Sequence, residues 1–449
     1  MVSSSGLESG RRNCHDSCAM QPVVHHVELC VADWEACLKA LRSYGFTLFA
    51  KRITPFCQQW AARLGKIIFV LTQRQADYVN HSIWNERTVR AEPLTVMCCE
   101  DQETHRVDTV VNVSLAVRNV SAVTERIKAN GGSVIQPATK IEDQTGDISF
   151  SIVRSIVGDV VHTLINVDNY KGVFLPGFEP VESSYDSELH VDLNNSVTHI
   201  DHVTLAVTPG NSQEVISFYE SCFGMERFAI SSSDDIDDGL ILEDSIGLRL
   251  KAMEYFRCSE LGLTYPASSR NRQRNKNSVM LVVVESLPGQ TNCNVETFLR
   301  EHEGPGVEHI AFSCNNMMET VEKMISLGVN FRKPPTAYYN ELKKQRQIQE
   351  IGEDLNTLEK LGILLDNEVE PMFAEDDCSK YLMQMFAHPL FSRKTFFIEI
   401  IKRSGARGLG SGNVIALVKS IREEEKRKAA EKKKASLNQE ELTSPRRLY

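Results

Sequence analysis

Ile200-Asp201-His202-Val203-Thr204-Leu205-Ala206-Val207 is the stretch from which the rest of the chain is read. It has the length and β-branched character of a strand, with Val203, Leu205 and Val207 on one face under period-2 alternation. A helical pattern follows over Gln213–Cys222 and stops at Gly224, and further strand patterns come after it. The same order occurs three more times. Val23-Val24-His25-His26-Val27-Glu28-Leu29-Cys30-Val31 opens one copy, with a helical run from Asp33 to Leu41 and strands ending at Leu71. Val110–Val117 opens another, with a helix over Val120–Ala129 stopped by Gly131-Gly132 and strands running to Val167. Gly306-Val307-Glu308-His309-Ile310-Ala311-Phe312 opens the last, with a helix from Met317 to Leu327 ended by Gly328. Four copies of one βαβββ unit define a repeat architecture. A single unit leaves one apolar sheet face uncovered, and pairing two units buries it. The expected fold is α+β, with four modules paired into two barrel-like domains over residues 23–182 and 196–421. The polar run Ser183–Glu188 marks the boundary between them.

The remaining segments are a Ser/Gly-rich leader, 1–22, and a charged tail, 422–449, which reads as an exposed helix fading into a disordered end. The leader has no apolar core and so is no secretory signal; its Arg11 and Arg12 suit a mitochondrial presequence, and Glu8 and Asp16 weaken that match. The chain of 449 residues is 42% hydrophobic and 24% charged, as in ordinary globular proteins. A net charge of −10 argues against general nucleic-acid binding. No apolar run approaches the roughly 18–20 residues of a membrane span. Twelve cysteines lack zinc-type spacing, and several, such as Cys30 and Cys314, read as reduced core residues.

Aligning the four opening strands puts His26, Asn112, His202 and His309 at one equivalent position. In the last module the closing strand is Phe396-Phe397-Ile398-Glu399-Ile400-Ile401, with a carboxylate in its middle. A charged Glu among such residues is costly unless it is paired or coordinates a metal. The second domain alone therefore brings two histidines and one acid together at matched positions. Two His and a carboxylate on one face, with positions left open, suit non-haem Fe(II), and zinc uses the same donors. His26, alone in its domain, is read as a packed core histidine. Alternation places Thr204 and Ala206 beside His202, leaving room for a substrate, and puts Gln384 and Phe386 on one face of Tyr381–Phe386. With Phe397, these line a cup suited to an aromatic molecule with a polar head.

Several strings strongly resemble the 4-hydroxyphenylpyruvate dioxygenase family. They are Gly304–Ala311, Pro334–Tyr339, Gly362–Asp366, Gln384-Met385-Phe386, Thr395–Ile401 and Gly408-Leu409-Gly410-Ser411-Gly412-Asn413. Finer strings, among them Phe174-Leu175-Pro176-Gly177-Phe178 and Glu285–Gly289, are closer to the dioxygenase-like members that animals carry. The resemblance spans about residues 23–425. It implies the vicinal oxygen chelate fold, Fe(II) held by His202, His309 and Glu399, and substrate contacts from Gln384, Phe386, Phe397, Asn294, Asn413 and Val414. Departures from the dioxygenase pattern fall at Leu250, Thr264-Tyr265, Asn294, Leu409 and Val414, all in the implied substrate shell.

The expected activity is Fe(II)-dependent conversion of 4-hydroxyphenylpyruvate and O₂ to 4-hydroxymandelate and CO₂, a step toward the coenzyme Q ring. The alternative product is homogentisate, made in tyrosine catabolism. A non-catalytic binding protein of the same fold is the alternative of another class. The expected partners are a small aromatic 2-oxo acid and O₂, with a homodimer left open. The resemblance implies a mitochondrial location, with the cytoplasm as the alternative.

Overall fold

A computed structural model describes residues 23–54, 57–73, 107–181, 192–231, 234–242, 246–255, 279–290, 293–334, 337–367, 380–416, 418–419 and 426. The leader, nearly all of the tail, most of the expected domain boundary and Thr264-Tyr265 lie outside these residues. No helix of the described residues is long and apolar enough to cross a membrane.

The first module comprises β1 (Val23–Val31), α1 (Trp34–Ser43), β2 (Thr47–Ile53), β3 (Gln58–Leu64) and β4 (Ile67–Gln73). The second comprises β5 (Thr109–Ala116), α2 (Val120–Ala129), β6 (Val134–Asp143), β7 (Gly146–Arg154) and β8 (Val161–Asn166), followed by the short β9 (Glu179–Pro180). The third runs through β10 (Val197–Ala206), α3 (Ser212–Phe223), β11 (Met225–Phe228), β12 (Leu240–Leu242), β13 (Leu248–Tyr255) and β14 (Met280–Ser286). After α4 (Asn294–His302) the fourth begins with β15 (Gly306–Cys314) and α5 (Met317–Ser326). It then inserts α6 (Ala337–Asn340), α7 (Leu342–Glu350) and α8 (Leu355–Leu361) before β16 (Leu364–Asn367), β17 (Tyr381–Phe386) and β18 (Phe397–Ser404). Those three short helices are an elaboration that the repeat pattern did not predict.

Local chemistry sets the helix ends. Asp33, Asn119 and Asn316 accept from backbone N–H groups of the first turns of α1, α2 and α5. Gly224 ends α3 in the left-handed region, at φ 69°.

Each pair of modules forms one nine-stranded sheet. In every module the first strand pairs parallel with the last, as β1 with β4 and β15 with β18. The modules join through an antiparallel seam of their opening strands, β1–β5 and β10–β15. The strand path is open at its ends, so each domain is a curled half-barrel, a cup, and not a closed barrel.

The largest core cluster lies between the two sheets and gathers α1, α2, α3 and α5. Phe46, just before β2, and Phe69 of β4 meet Phe312 of the second sheet at ring-centroid distances of 6.0 and 5.8 Å. Buried His162 joins the domains as well: its Nδ1 lies 2.9 Å from the Val113 carbonyl and its Nε2 lies 2.8 Å from the Tyr219 hydroxyl. Gly158, at φ 53°, passes so close to the Pro305 carbonyl that no Cβ fits. The opposite, concave faces hold two smaller clusters, one in each cup. The six cysteines of the described residues are buried and free, Cys30 and Cys314 among them.

Candidate metal centre

The seam of the second domain carries three irregularities: one at Thr198, near the start of β10, and two that fall at the site. In the β10–β15 register Ile200 pairs with Phe312 and His202 with Ala311, so Asp201 is an extra residue. Likewise Thr204 pairs with His309 and Leu205 with Val307, so Glu308 is extra. A β-bulge lets two successive side chains lean to one face, which a regular strand forbids. Each of these two bulges thus sets a carboxylate beside the histidine that follows it. Asp201 Oδ1 lies 2.9 Å from His202 Nδ1, and Glu308 Oε2 lies 3.0 Å from His309 Nδ1. An imidazole whose Nδ1–H donates to a carboxylate presents the Nε2 lone pair to its other side, the arrangement usual for metal-ligating histidines. Asp201 is fixed in turn by Arg403, whose Nε and Nη2 each donate to it at 2.8 Å.

β18 completes the set. It pairs Ala311 with Glu399, which places the carboxylate next to the seam. Glu399 Oε2 stands 3.6 Å from His202 Nε2 and 3.4 Å from His309 Nε2. One donor atom from each of His202, His309 and Glu399 falls within a 4.8 Å span, the one such grouping among the described residues. Glu399 and His202 are buried and His309 is half-buried. Glu399 Oε2 has no hydrogen-bond partner, and an orphaned buried carboxylate oxygen facing two imidazoles fits a cation. Thr204 Oγ1 lies 2.9 Å from His309 Nε2, so its hydroxyl occupies the lone pair that a metal would take.

The electrostatics agree. Burial works against charge on His202, yet the Glu399 charge and the hydrogen bond to Asp201 outweigh it and hold its pKa above the ordinary value. Burial also opposes ionisation of Asp201, but Arg403 and His202 keep its pKa well below the usual carboxylate range. The site is therefore short of positive charge, and a proton on His202 meets a need that a metal ion would meet better.

These groups open into a cavity of about 270 Å³. Leu248, Leu250, Val282 and Val284 form an apolar wall, and Asn294, Val414 and Gln384 are also on the lining. Phe397 stacks on the His309 ring at 4.7 Å, and Phe386 meets Phe397 edge-on at 6.5 Å. Arg332, Arg393 and Lys394 give the lining a basic side, with Arg393 paired to Glu303 at 2.7 Å, and Glu308 is the opposing acid besides Glu399.

The sequence-predicted residues His202, His309, Glu399, Gln384, Phe386, Phe397, Asn294 and Val414 thus converge on one space. Asn413 does not share it: fully buried, it sits behind Gln384, to which its amide donates at 2.8 Å. Gln384 itself donates to Glu399 Oε1 at 2.9 Å. Asp201, Glu308, Arg403 and the basic side of the cavity are not among the sequence-predicted residues. A signal for the first two was there: an acid immediately precedes each ligand histidine, in Asp201-His202 and Glu308-His309.

A family model described as the Glyoxalase/Bleomycin resistance protein/Dioxygenase superfamily matches residues 199–354, which include both histidines. The 4-hydroxyphenylpyruvate dioxygenase-like protein of Homo sapiens is 33% identical over 391 residues, covering 86% of this chain and 92% of that one. The 4-hydroxyphenylpyruvate dioxygenase of Neurospora crassa is 32% identical over 334 residues, covering 73% of this chain and 72% of that one. Among solved structures, a mutant of 4-hydroxymandelate synthase from Streptomyces coelicolor shares the fold, with a TM-score of 0.64 at 22% identity over 90% of this chain and all of that one. By fold, by the superfamily match and by identity along most of its length, the chain belongs to the 4-hydroxyphenylpyruvate dioxygenase family, together with its dioxygenase-like members.

Proposed function

We propose that the chain is an iron-dependent dioxygenase that converts 4-hydroxyphenylpyruvate and O₂ to 4-hydroxymandelate and CO₂. The observation that carries this is the His202–His309–Glu399 cluster opening into a cavity with aromatic, apolar and basic sides. His202, His309 and Glu399 would hold Fe(II), and bound iron would supply the redox chemistry that activates O₂.

The chain's own residues supply the rest. Asp201 and Glu308 hold the imidazole Nδ1–H groups, so both Nε2 lone pairs face the cavity. The basic side formed by Arg332, Arg393 and Lys394 favours entry of a carboxylate anion. Phe386 and Phe397 offer ring faces and edges to an aromatic substrate. The wall from Leu248 to Val284 excludes water from the reacting end. Regiochemistry depends on whether the ring or the benzylic carbon lies nearer the centre. Leu250, Asn294 and Val414 replace other residue types of the dioxygenase pattern on that wall, and this supports the benzylic outcome and the mandelate product.

Homogentisate is the second reading, favoured by the identity to fungal relatives that carry the dioxygenase name. Delivery of the mandelate toward the coenzyme Q ring, in mitochondria, belongs to the same proposal. The test is anaerobic loading with Fe(II), then 4-hydroxyphenylpyruvate and O₂, with products separated by mass and retention. 4-Hydroxymandelate is expected. Homogentisate as the sole product would transfer the assignment to the second reading, and a chain that binds no iron would sink both.

A further inference from the structure

Glu399 has two oxygens, and the second is held by a line of hydrogen bonds that leaves the cavity altogether. Glu399 Oε1 accepts from Gln384 Nε2 at 2.9 Å, and the same amide donates to the Leu409 carbonyl at 3.2 Å. Gln384 Oε1 accepts from Asn413 Nδ2 at 2.8 Å. Asn413 Oδ1 accepts from the Tyr338 hydroxyl at 3.1 Å. The Tyr338 oxygen in turn accepts from the Leu365 backbone N–H at 2.8 Å. Every one of these side chains is buried.

We propose that Tyr338 is a positioning residue for the metal centre, acting through Asn413 and Gln384 on the Glu399 carboxylate. This rests on the reading that His202, His309 and Glu399 hold a metal.

The physical reason is direction. A primary amide has a donor end and an acceptor end, and both amides in the line can turn over. If Asn413 turned, its oxygen would face the Gln384 oxygen. Gln384 would have to turn as well, and would then point an oxygen at Glu399 in place of an N–H. A hydroxyl donor on Asn413 Oδ1 fixes the direction of both amides at once. The Leu365 carbonyl, at 2.7 Å, competes for the same hydroxyl hydrogen. Lys344 weakens that competition by donating to the Leu365 carbonyl while its ammonium lies 5.0 Å from the Tyr338 ring centroid. Gly410, at φ 67°, packs against the Gln384–Asn413 contact so closely that a Cβ would collide with the Gln384 oxygen. Gln384, with its donors and acceptor engaged in this line, serves here as an orienter of the ligand.

The experiment is Co(II) titration of the full-length, metal-free chain, following the visible cobalt bands, for wild type, Tyr338→Phe, Gln384→Leu and the double variant. Phenylalanine keeps the ring and removes only the hydroxyl. Loss of an outer partner of a metal ligand typically costs about 10–100-fold in affinity. Gln384→Leu is expected within that range and Tyr338→Phe near its lower end. In the Gln384→Leu background, Tyr338→Phe should add nothing, because the effect passes through Gln384. Unchanged cobalt affinity in Tyr338→Phe, even with a lowered melting temperature, would overturn the proposal, since a merely structural role predicts that result. An equal loss in both backgrounds would also overturn it. A wild-type chain that binds no cobalt would overturn the metal reading itself, and this proposal with it.

Discussion

The two cups share a backbone plan and differ in what fills them. Both seams carry the same pair of bulges. In the N-terminal seam the extra residues are His25, between the pairs of Val24 and His26, and Val111, between those of Asn112 and Val110. They stand where Asp201 and Glu308 stand in the other seam. By register, His26, Asn112 and Thr163 occupy the places of His202, His309 and Glu399. The N-terminal set is satisfied from within. Glu28 Oε1 accepts from Gln59 Nε2 at 2.9 Å and from Thr72 Oγ1 at 2.5 Å, and Asn112 is tied to Thr163 at 2.9 Å. Phe174 and Phe178 reach into this cup from the segment after β8, and the Arg52 guanidinium lies over the Phe178 ring at 4.9 Å. In the C-terminal cup the corresponding space is a cavity, and the acid at its centre keeps one oxygen without a partner. The candidate metal centre lies where the polar groups are left incomplete, and a structural core where they are completed.

That contrast can be broken outright. Replacing Glu399 by Ala should abolish metal binding, because among the described residues the N-terminal cup offers no substitute set. Saturating metal at about 100 times its dissociation constant should stabilise the wild type by about 2.7 kcal/mol and the variant by nothing. Metal analysis and melting with and without Fe(II) check this. A variant that still bound one ion per chain would refute the assignment.

The reverse graft is sharper. Asn112→His with Thr163→Glu copies the ligand identities into the N-terminal cup. It should create no second site and should destabilise the fold by about 3 kcal/mol or more, because a new buried carboxylate would share its surroundings with Glu28. Two ions per chain would mean that ligand identity alone makes the site.

A pH experiment probes the joint between the cups. Burial, only partly offset by the hydrogen bond to Val113, lowers the His162 pKa to about 4. The folded state therefore keeps this imidazole neutral while the unfolded chain takes up a proton below about pH 6.5. Its contribution is fully present above that pH and is lost as pH falls toward 4, amounting to about 3 kcal/mol. His162→Gln should flatten this part of the acid limb in denaturant titrations between pH 7 and pH 4. An unaltered slope would remove His162 from the account.

The mildest change is Val414→Phe, which adds a ring to the cavity wall at a position where the chain departs from the dioxygenase pattern. It should shift product from 4-hydroxymandelate toward homogentisate with little effect on iron binding, as read by product chromatography. An unchanged product ratio would relieve Val414 of any role in regiochemistry.

The repeat was legible because its signals are local. Alternation along Val197–Ala206, helical spacing across Ser212–Phe223 and the stop at Gly224 each need only neighbours in the chain. Once the four copies were aligned, the ligand positions followed, because equivalent residues of a repeat face the same way. The inserted helices between Ala337 and Leu361 were not read, since they interrupt the period. Asn413 was placed with the substrate contacts because its string resembles the family's. Only the packed structure puts Gln384 between Asn413 and the cavity.

What the sequence determined by itself was the module, its fourfold use and the identity of His202, His309 and Glu399 as the convergent set. Period and residue chemistry are properties of short stretches, so they can be read without knowing what lies across the sheet. The tertiary structure alone decided that Asp201 and Glu308 turn toward their histidines, that one cup is filled by Phe174 and Phe178, and that Tyr338 reaches Glu399 through two amides. A bulge depends on the partner strand's register, a filled cup on a segment from elsewhere in the chain, and an amide's direction on a donor 75 residues away. Those are long-range conditions, which no local pattern encodes.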